Sequence, residues 1–223
     1  MRVAVIMPVL NEAPALPHVL AEMPPGLRVV VCDNGSTDES PALARAGGAE
    51  VVSWPARGYG GAVAAGLRHL AASPPDVVVV WDGDHSVDPA DLPALLAPIE
   101  RGEADLVLGD RTARAAPGSM PPQQRWGNAL ATFLIARQTG HRFADMGPFR
   151  AGRYSALVAL DLVDATWGWN VEMQLKALRA GLRVVEVPVA NRERIGHSKI
   201  SGTVRGSLRA GARICWACWH YGR

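Results

Sequence analysis

Two aspartates one residue apart, Asp82 and Asp84, follow a run of valines at 77–80. Along an extended segment, side chains two residues apart point the same way, so the two carboxylates can share one divalent cation. Carboxylate oxygens are hard ligands suited to Mg²⁺ or Mn²⁺. A cation held there would neutralise charge on a departing diphosphate. Three more polar or glycine clusters each follow an apolar run: Asn11-Glu12 after Pro8, Asp33 through Asp38, and Arg57-Gly58-Tyr59-Gly60-Gly61. Glu12 and Asp33 can accept hydrogen bonds from a nucleobase N–H or from ribose hydroxyls. Gly58, Gly60 and Gly61 open a helix and can let its backbone N–H groups approach a diphosphate. Each cluster has a plain alternative. Asp-Asn-Gly-Ser is ordinary turn chemistry, the glycines can serve packing, and a lone D-x-D arises by chance. The recurrence of four such clusters in order points to a nucleotide site.

The elements that must hold these clusters are legible from periodicity. Val3–Met7, Leu27–Cys32, Glu50–Ser53 and Val77–Trp81 are short, continuous, Val-rich runs, as expected of parallel strands covered on both faces. Ala- and Leu-rich stretches at about 13–23, 38–46 and 61–72 have helical spacing. The alternation predicts an α/β fold, an open and mostly parallel sheet with helices on both faces. A helix at 89–100 and a fifth strand at Asp105–Gly109 follow. Ser36 with Glu39 and Asp88 with Asp91 fit capping boxes, with Pro89 at the first helical position. Beyond residue 110 the spacing predicts a loop at 115–122, helices at 123–139, 153–160 and 169–180, a strand at Arg183–Val189, and a helix over 203–220. In such sheets ligands bind beyond the carboxyl ends of the strands, which is where all four clusters fall.

Composition bounds the function. The chain has 223 residues, 48% apolar and 20% charged, which suits one globular domain. A net charge of +2 gives no electrostatic case for nucleic acid. The three cysteines fit a reducing compartment, and Cys215-x-x-Cys218 lacks the second ligand pair of a zinc site. The chain starts directly on a strand, and no apolar run approaches the ~20 residues that span a bilayer. The expectation is a cytoplasmic protein, soluble or peripheral at a membrane. Strand one lacks G-x-G-x-x-G and no P-loop is present, so oxidoreductase and NTPase readings fall behind.

Taken in order, Pro8-Val-Leu-Asn-Glu12, Asp33-Asn-Gly-Ser-Thr-Asp38, Gly58-Tyr-Gly-Gly-Ala62, Asp82-Gly-Asp-His-Ser-Val-Asp-Pro89, Gly109-Asp-Arg111, Asp145-Met-Gly-Pro-Phe-Arg150, Trp169-Asn-Val-Glu-Met173, Glu186-Val-Pro188 and Ser198-Lys199 resemble the inverting family-2 glycosyltransferases of the GT-A fold. Within them the chain is similar to dolichyl- or polyprenyl-phosphate sugar transferases. The resemblance implies a single domain, with a nucleotide-sugar half over 1–110, an acceptor half over 111–202 and a basic amphipathic helix over 203–220. It implies that Pro8, Glu12, Asp33 and Gly60 hold the donor nucleotide. Asp82 would face nucleotide and metal, Asp84 would be the main metal ligand, and Ser86 would join the metal shell, where relatives often carry Gln. Arg111, Arg125 and Arg150, with Ser198 and Lys199, would meet phosphates of acceptor or donor. Asp145 would line the acceptor side, and if the acceptor were a hydroxyl it would be the base; its structural alternative is a salt bridge to Arg150.

The implied partners are a nucleotide-diphosphate sugar, with Mg²⁺ or Mn²⁺, and a polyprenyl phosphate. A soluble or cell-envelope hydroxyl acceptor is the same-fold alternative, and a non-catalytic nucleotide-sugar-binding protein is the alternative of another class. Residues 192–223 carry seven basic side chains against one acid, Glu193. Arg205, Arg209 and Arg213 are spaced to stripe one helix face, and Trp216, Trp219 and Tyr221 follow, a pattern suited to an anionic membrane surface.

Overall fold

The computed structural model describes residues 1–196 and 204–222, and of 204–210 the backbone alone. The strands are β1 (Val3–Val9), β2 (Arg28–Asp33), β3 (Glu50–Ser53), β4 (Val77–Val80), β5 (Leu106–Ala115), β6 (Arg150–Arg153) and β7 (Val184–Asn191). The helices are α1 (Leu16–Ala21), α2 (Ser40–Ala46), α3 (Tyr59–Leu70), α4 (Leu92–Glu100), α5 (Pro122–Thr139), α6 (Tyr154–Ala159), α7 (Trp169–Arg179) and α8 (Val204–Tyr221). All seven strands form one sheet in the order β3-β2-β1-β4-β6-β5-β7.

The sheet is parallel except for β6, which runs antiparallel between β4 and β5. Alternate residues of β1 explain why both faces are covered. Ala4 and Ile6 point into a core shared with α3, α7 and α8, whereas Val5, Met7 and Val9 point into one shared with α1, α2 and α4. β4 is four valines, all buried, as a central strand of a doubly covered sheet requires.

Residues 150–153 are where the sequence reading missed an element. β6 is Arg-Ala-Gly-Arg, with neither an apolar run nor β-branched residues, and its pairing with Val77–Val80 and Leu106–Leu108 makes it a strand. One expected cap is also redirected: Ser36 Oγ accepts from the Asn11 N–H (2.9 Å), tying the β1–α1 and β2–α2 loops together, and α2 starts four residues later without a side-chain cap. Asp88 does cap, accepting from Ala90 N–H (2.9 Å) over a single 3₁₀ turn at Pro89–Asp91.

Candidate functional site

The carboxyl ends of β1 and β4 open into one cavity of about 1500 Å³, whose other walls come from α5, the 164–171 region, the 191–196 segment and α8. Pro8, Glu12, Asp82, Asp84, Ser86 and Arg111 all line it. Asp82 and Asp84 both follow β4, which ends at Val80: Asp82 comes directly after the buried Trp81, and Gly83 and Asp84 lie in a turn. Burial, and then the neighbouring Asp84 carboxylate, push Asp82 up to about 7. Asp84 Oδ1 accepts from both the N–H (3.0 Å) and the hydroxyl (2.6 Å) of Ser86. Ser86 therefore orients the Asp84 carboxylate.

A cation of the chain already faces this acidic pair. Arg194 places Nη2 3.3 Å from Glu12 Oε1 and 3.3 Å from Asp84 Oδ2. Its segment is strapped to the acidic loop through the backbone: Arg192 N–H donates to Ser86 O (2.8 Å) and Ile195 N–H to Asp84 O (3.0 Å). Arg192 adds ion pairs to Glu22 (2.7 Å) and Asp88 (2.8 Å). Sequence reasoning folded Arg192 and Arg194 into a general basic tail. Their place directly after β7, at the same sheet edge as the other clusters, was the signal that could have separated them.

Asp145 and Arg150 take other roles than expected. Asp145 is fully buried and bound in a two-pronged pair with Arg111 (Nε–Oδ2 2.7 Å, Nη2–Oδ1 2.9 Å). It also accepts from the backbone N–H groups of Arg111 and Met146. Burial would raise its pKa, but the Arg111 guanidinium and these N–H groups outweigh it and hold it below the usual carboxylate value. It does not line the cavity, and with its oxygens committed it is poorly placed to take a proton. Its ion-pair partner is Arg111, not Arg150. The Arg150 guanidinium is buried among backbone oxygens, donating to Gly147 O (2.7 Å), Asn170 O (3.2 Å) and Met146 O (3.2 Å). Burial brings its pKa down to about 10. Arg150 splices the 146–149 turn to the start of α7 and does not reach the cavity.

Three further expectations are displaced. Asp33 turns its carboxylate onto Ser36 N–H (3.1 Å) and does not line the cavity; Asn34 beside it does, with its Oδ1 buried and unpartnered. The Gly60 N–H donates to Thr166 O (3.3 Å) and the Gly61 N–H to Ala165 O (3.0 Å), so these amides of α3 are already satisfied. A Cβ on Gly60 would lie 2.0 Å from Asp164 O and 2.7 Å from Trp169 Cβ, so this glycine is there for close packing. Arg125 is exposed on α5 and does not line the cavity. Ser198 and Lys199 lie outside the described residues. Of the two tryptophans flanking Gly168, Trp167 lines the cavity and Trp169 is core.

The sequence reading missed two polar residues of the cavity wall. Tyr59 Oη and Asn170 Oδ1 are buried without hydrogen-bond partners. An unpaired buried polar atom costs on the order of 1–3 kcal/mol, so such atoms on a cavity wall mark where a ligand can recover the loss. Burial, and then the Asp82 carboxylate, hold the Tyr59 hydroxyl well above its ordinary pKa and keep it a donor.

The profile of "Glycosyl transferase family 2" matches residues 4–160. An uncharacterised glycosyltransferase of Mycobacterium tuberculosis is 43% identical over 93% of this chain and 94% of its own length. The dolichyl-phosphate hexose transferase of Haloferax volcanii is 35% identical, covering 96% of this chain and 93% of that protein. The undecaprenyl-phosphate mannosyltransferase of Micrococcus luteus is 36% identical, covering 92% and 90%. Among solved structures, glucosyl-3-phosphoglycerate synthase from M. tuberculosis, in complex with Mn²⁺, UDP-glucose and phosphoglyceric acid, superposes with a TM-score of 0.75 at 25% identity, over 97% of this chain and 79% of that one.

Proposed function

The chain belongs to glycosyl transferase family 2, and from that premise we propose that it moves a hexose from a UDP- or GDP-sugar to a polyprenyl phosphate, with inversion and with the help of a divalent cation. The observation that carries the reading is the acidic pair Asp82 and Asp84 on one wall of the cavity, with Glu12 beside it and Arg111 opposite in charge. The donor set suits Mg²⁺ or Mn²⁺: all oxygen, with two carboxylates two residues apart in sequence on the cavity wall. Asp84, oriented by Ser86, and Asp82 would hold the cation, which supplies charge neutralisation for the departing diphosphate. In this reading Glu12, Pro8 and Asn34, which line the cavity, would hold the nucleoside, and Tyr59 and Asn170, with buried unpartnered oxygens, would meet hydroxyls of the sugar.

The choice of acceptor rests on the groups that the described residues bring to the cavity. A hydroxyl acceptor needs a general base, and Asp145 is committed to Arg111. A lipid monophosphate carries about −1.5 to −2 charges at pH 7 and attacks without one. It needs cations, and Arg111, Arg192 and Arg194 line the cavity. The two relatives named for dolichyl and undecaprenyl phosphate support the same choice. The neighbour crystallised with phosphoglyceric acid keeps a soluble, phosphate-bearing acceptor as the second reading.

Mn²⁺-dependent release of UDP or GDP, measured over a panel of nucleotide sugars with and without a short polyprenyl phosphate, tests the proposal. Release that requires the lipid phosphate and falls by about 10³ or more in Asp84→Ala is the expected result. Release supported equally well by small phosphorylated hydroxy acids would move the assignment to the second reading.

A further inference from the structure

α5 carries a stripe that the fold leaves uncovered. Trp126 is 78% exposed, Leu130 40% and Phe133 60%, and their i, i+4, i+7 spacing sets them on one face of the helix. The opposite face is ordinary core, with Ala131 and Ile135 buried. α8 packs beside α5, Gln138 donating to Cys218 O, and leaves Trp219 55% exposed together with Trp216. Neither helix contains an acidic residue. Arg125 and Arg137 of α5 are exposed and have no ion pair among the described residues. Large apolar side chains exposed together on one helix face, with two exposed tryptophans on the helix packed beside it, are uncommon on a surface that meets only water.

We infer that the outer face of α5, with the exposed aromatics of α8 beside it, docks on an anionic lipid bilayer and seats the mouth of the cavity at headgroup level. The charge pattern chooses the occupant. Tryptophan and arginine without intervening acids suit the interface between headgroups and acyl chains, where the ring is half-buried and the guanidinium meets phosphates. The position of the stripe argues against a folded partner, because Trp126 and Leu130 are also rim residues of the cavity, as are Gly211 and Ile214 of α8. A protein clamped over them would close the entrance, whereas a bilayer presents an amphiphile to it. No helix among the described residues is long and apolar enough to cross a membrane, so the contact is adsorption.

Of the α8 stripe expected from sequence, the side chains of Arg205 and Arg209 lie outside the described residues. Arg213, the described member of the α8 arginine stripe, is turned inward: Nη2 lies 2.6 Å from Asp164 Oδ2 and Nε donates to Thr166 Oγ1. Tyr221 is buried. The apolar stripe of α5 is a part of the surface that the Arg spacing did not mark.

Co-sedimentation of the full chain with vesicles tests the inference, using phosphatidylcholine alone and with one-third phosphatidylglycerol. The expected result is binding to the anionic vesicles, weakened about tenfold or more in Trp126→Ser/Phe133→Ser, whose circular dichroism stays that of the wild type. Arg125→Glu/Arg137→Glu loses the preference for anionic over neutral lipid. The inference is overturned if the wild type stays in solution with anionic vesicles, or if the serine pair binds them as well as the wild type does. It is equally overturned if the serine pair instead dissociates a wild-type dimer that never binds lipid. The vesicles hold no polyprenyl phosphate and no nucleotide sugar, so this result stands apart from the acceptor assay.

Discussion

Asp82 is a carboxyl group that the fold holds at a cost. Its pKa is raised to about 7, so the native state binds its proton more tightly than the unfolded chain does, and stability falls as pH rises from about 4 through 7. Asp82→Asn removes that cost where the wild type is ionised. The variant should be more stable by on the order of 1–2 kcal/mol at pH 8, unchanged at pH 4, and defective in turnover, as thermal melts at the two pH values would register. Asp145 carries the opposite sign. Its charge is matched by Arg111 in a buried pair, so Asp145→Ala leaves a guanidinium unpaired and should cost about 3 kcal/mol in urea unfolding. A variant that kept full stability but lost turnover would restore Asp145 as a base. The cysteines are set apart by burial in the same way. Burial pushes Cys32 up to about 12 and Cys218 up to about 11, while Cys215 is exposed. Titration with a disulfide reagent at pH 8 should count one fast thiol in the native protein and three after denaturation.

At the scale of elements, the join between α3 and α7 decides whether the cavity keeps its shape. Gly60→Ala would drive a Cβ into Asp164 O and Trp169, and should cost about 2 kcal/mol or more, measured by the same urea titration. Here the limits of reading from sequence have a physical form. The valine runs and the strand-end clusters report local pattern, and Pro8, Glu12, Asp82, Asp84 and Arg111 all line one cavity. What the pattern does not carry is who bonds to whom across long separations. The pattern assigns Asp33 to a ligand as a strand-end acceptor and Gly60 as a helix-opening glycine, yet Ser36 N–H takes one Asp33 oxygen and Thr166 O takes the Gly60 N–H. Asp145 meets Arg111 rather than Arg150 because the 144–146 turn is held by Glu186 of β7, whose carboxylate accepts from Ala144 and Asp145 N–H. β6 escaped notice because its identity as a strand comes from two partners and not from its own four residues.

Across the whole molecule, the 191–196 segment joins the far edge of the sheet to the acidic loop after β4, and it brings Arg194 between Glu12 and Asp84. Removing that charge should strengthen Mn²⁺ binding to the protein without nucleotide. Arg194→Gln is expected to bind about tenfold more tightly, read from the paramagnetic resonance of free Mn²⁺, with Arg194→Lys closer to the wild type. Were a divalent cation held by Asp82 and Asp84, donor capture would be an exchange and not an addition: one positive group, covalently attached and never lost to bulk water, would leave its carboxylates as another arrived, much as one ligand replaces another in coordination chemistry. The Arg194 guanidinium would then be free at the moment an anionic guest reached it.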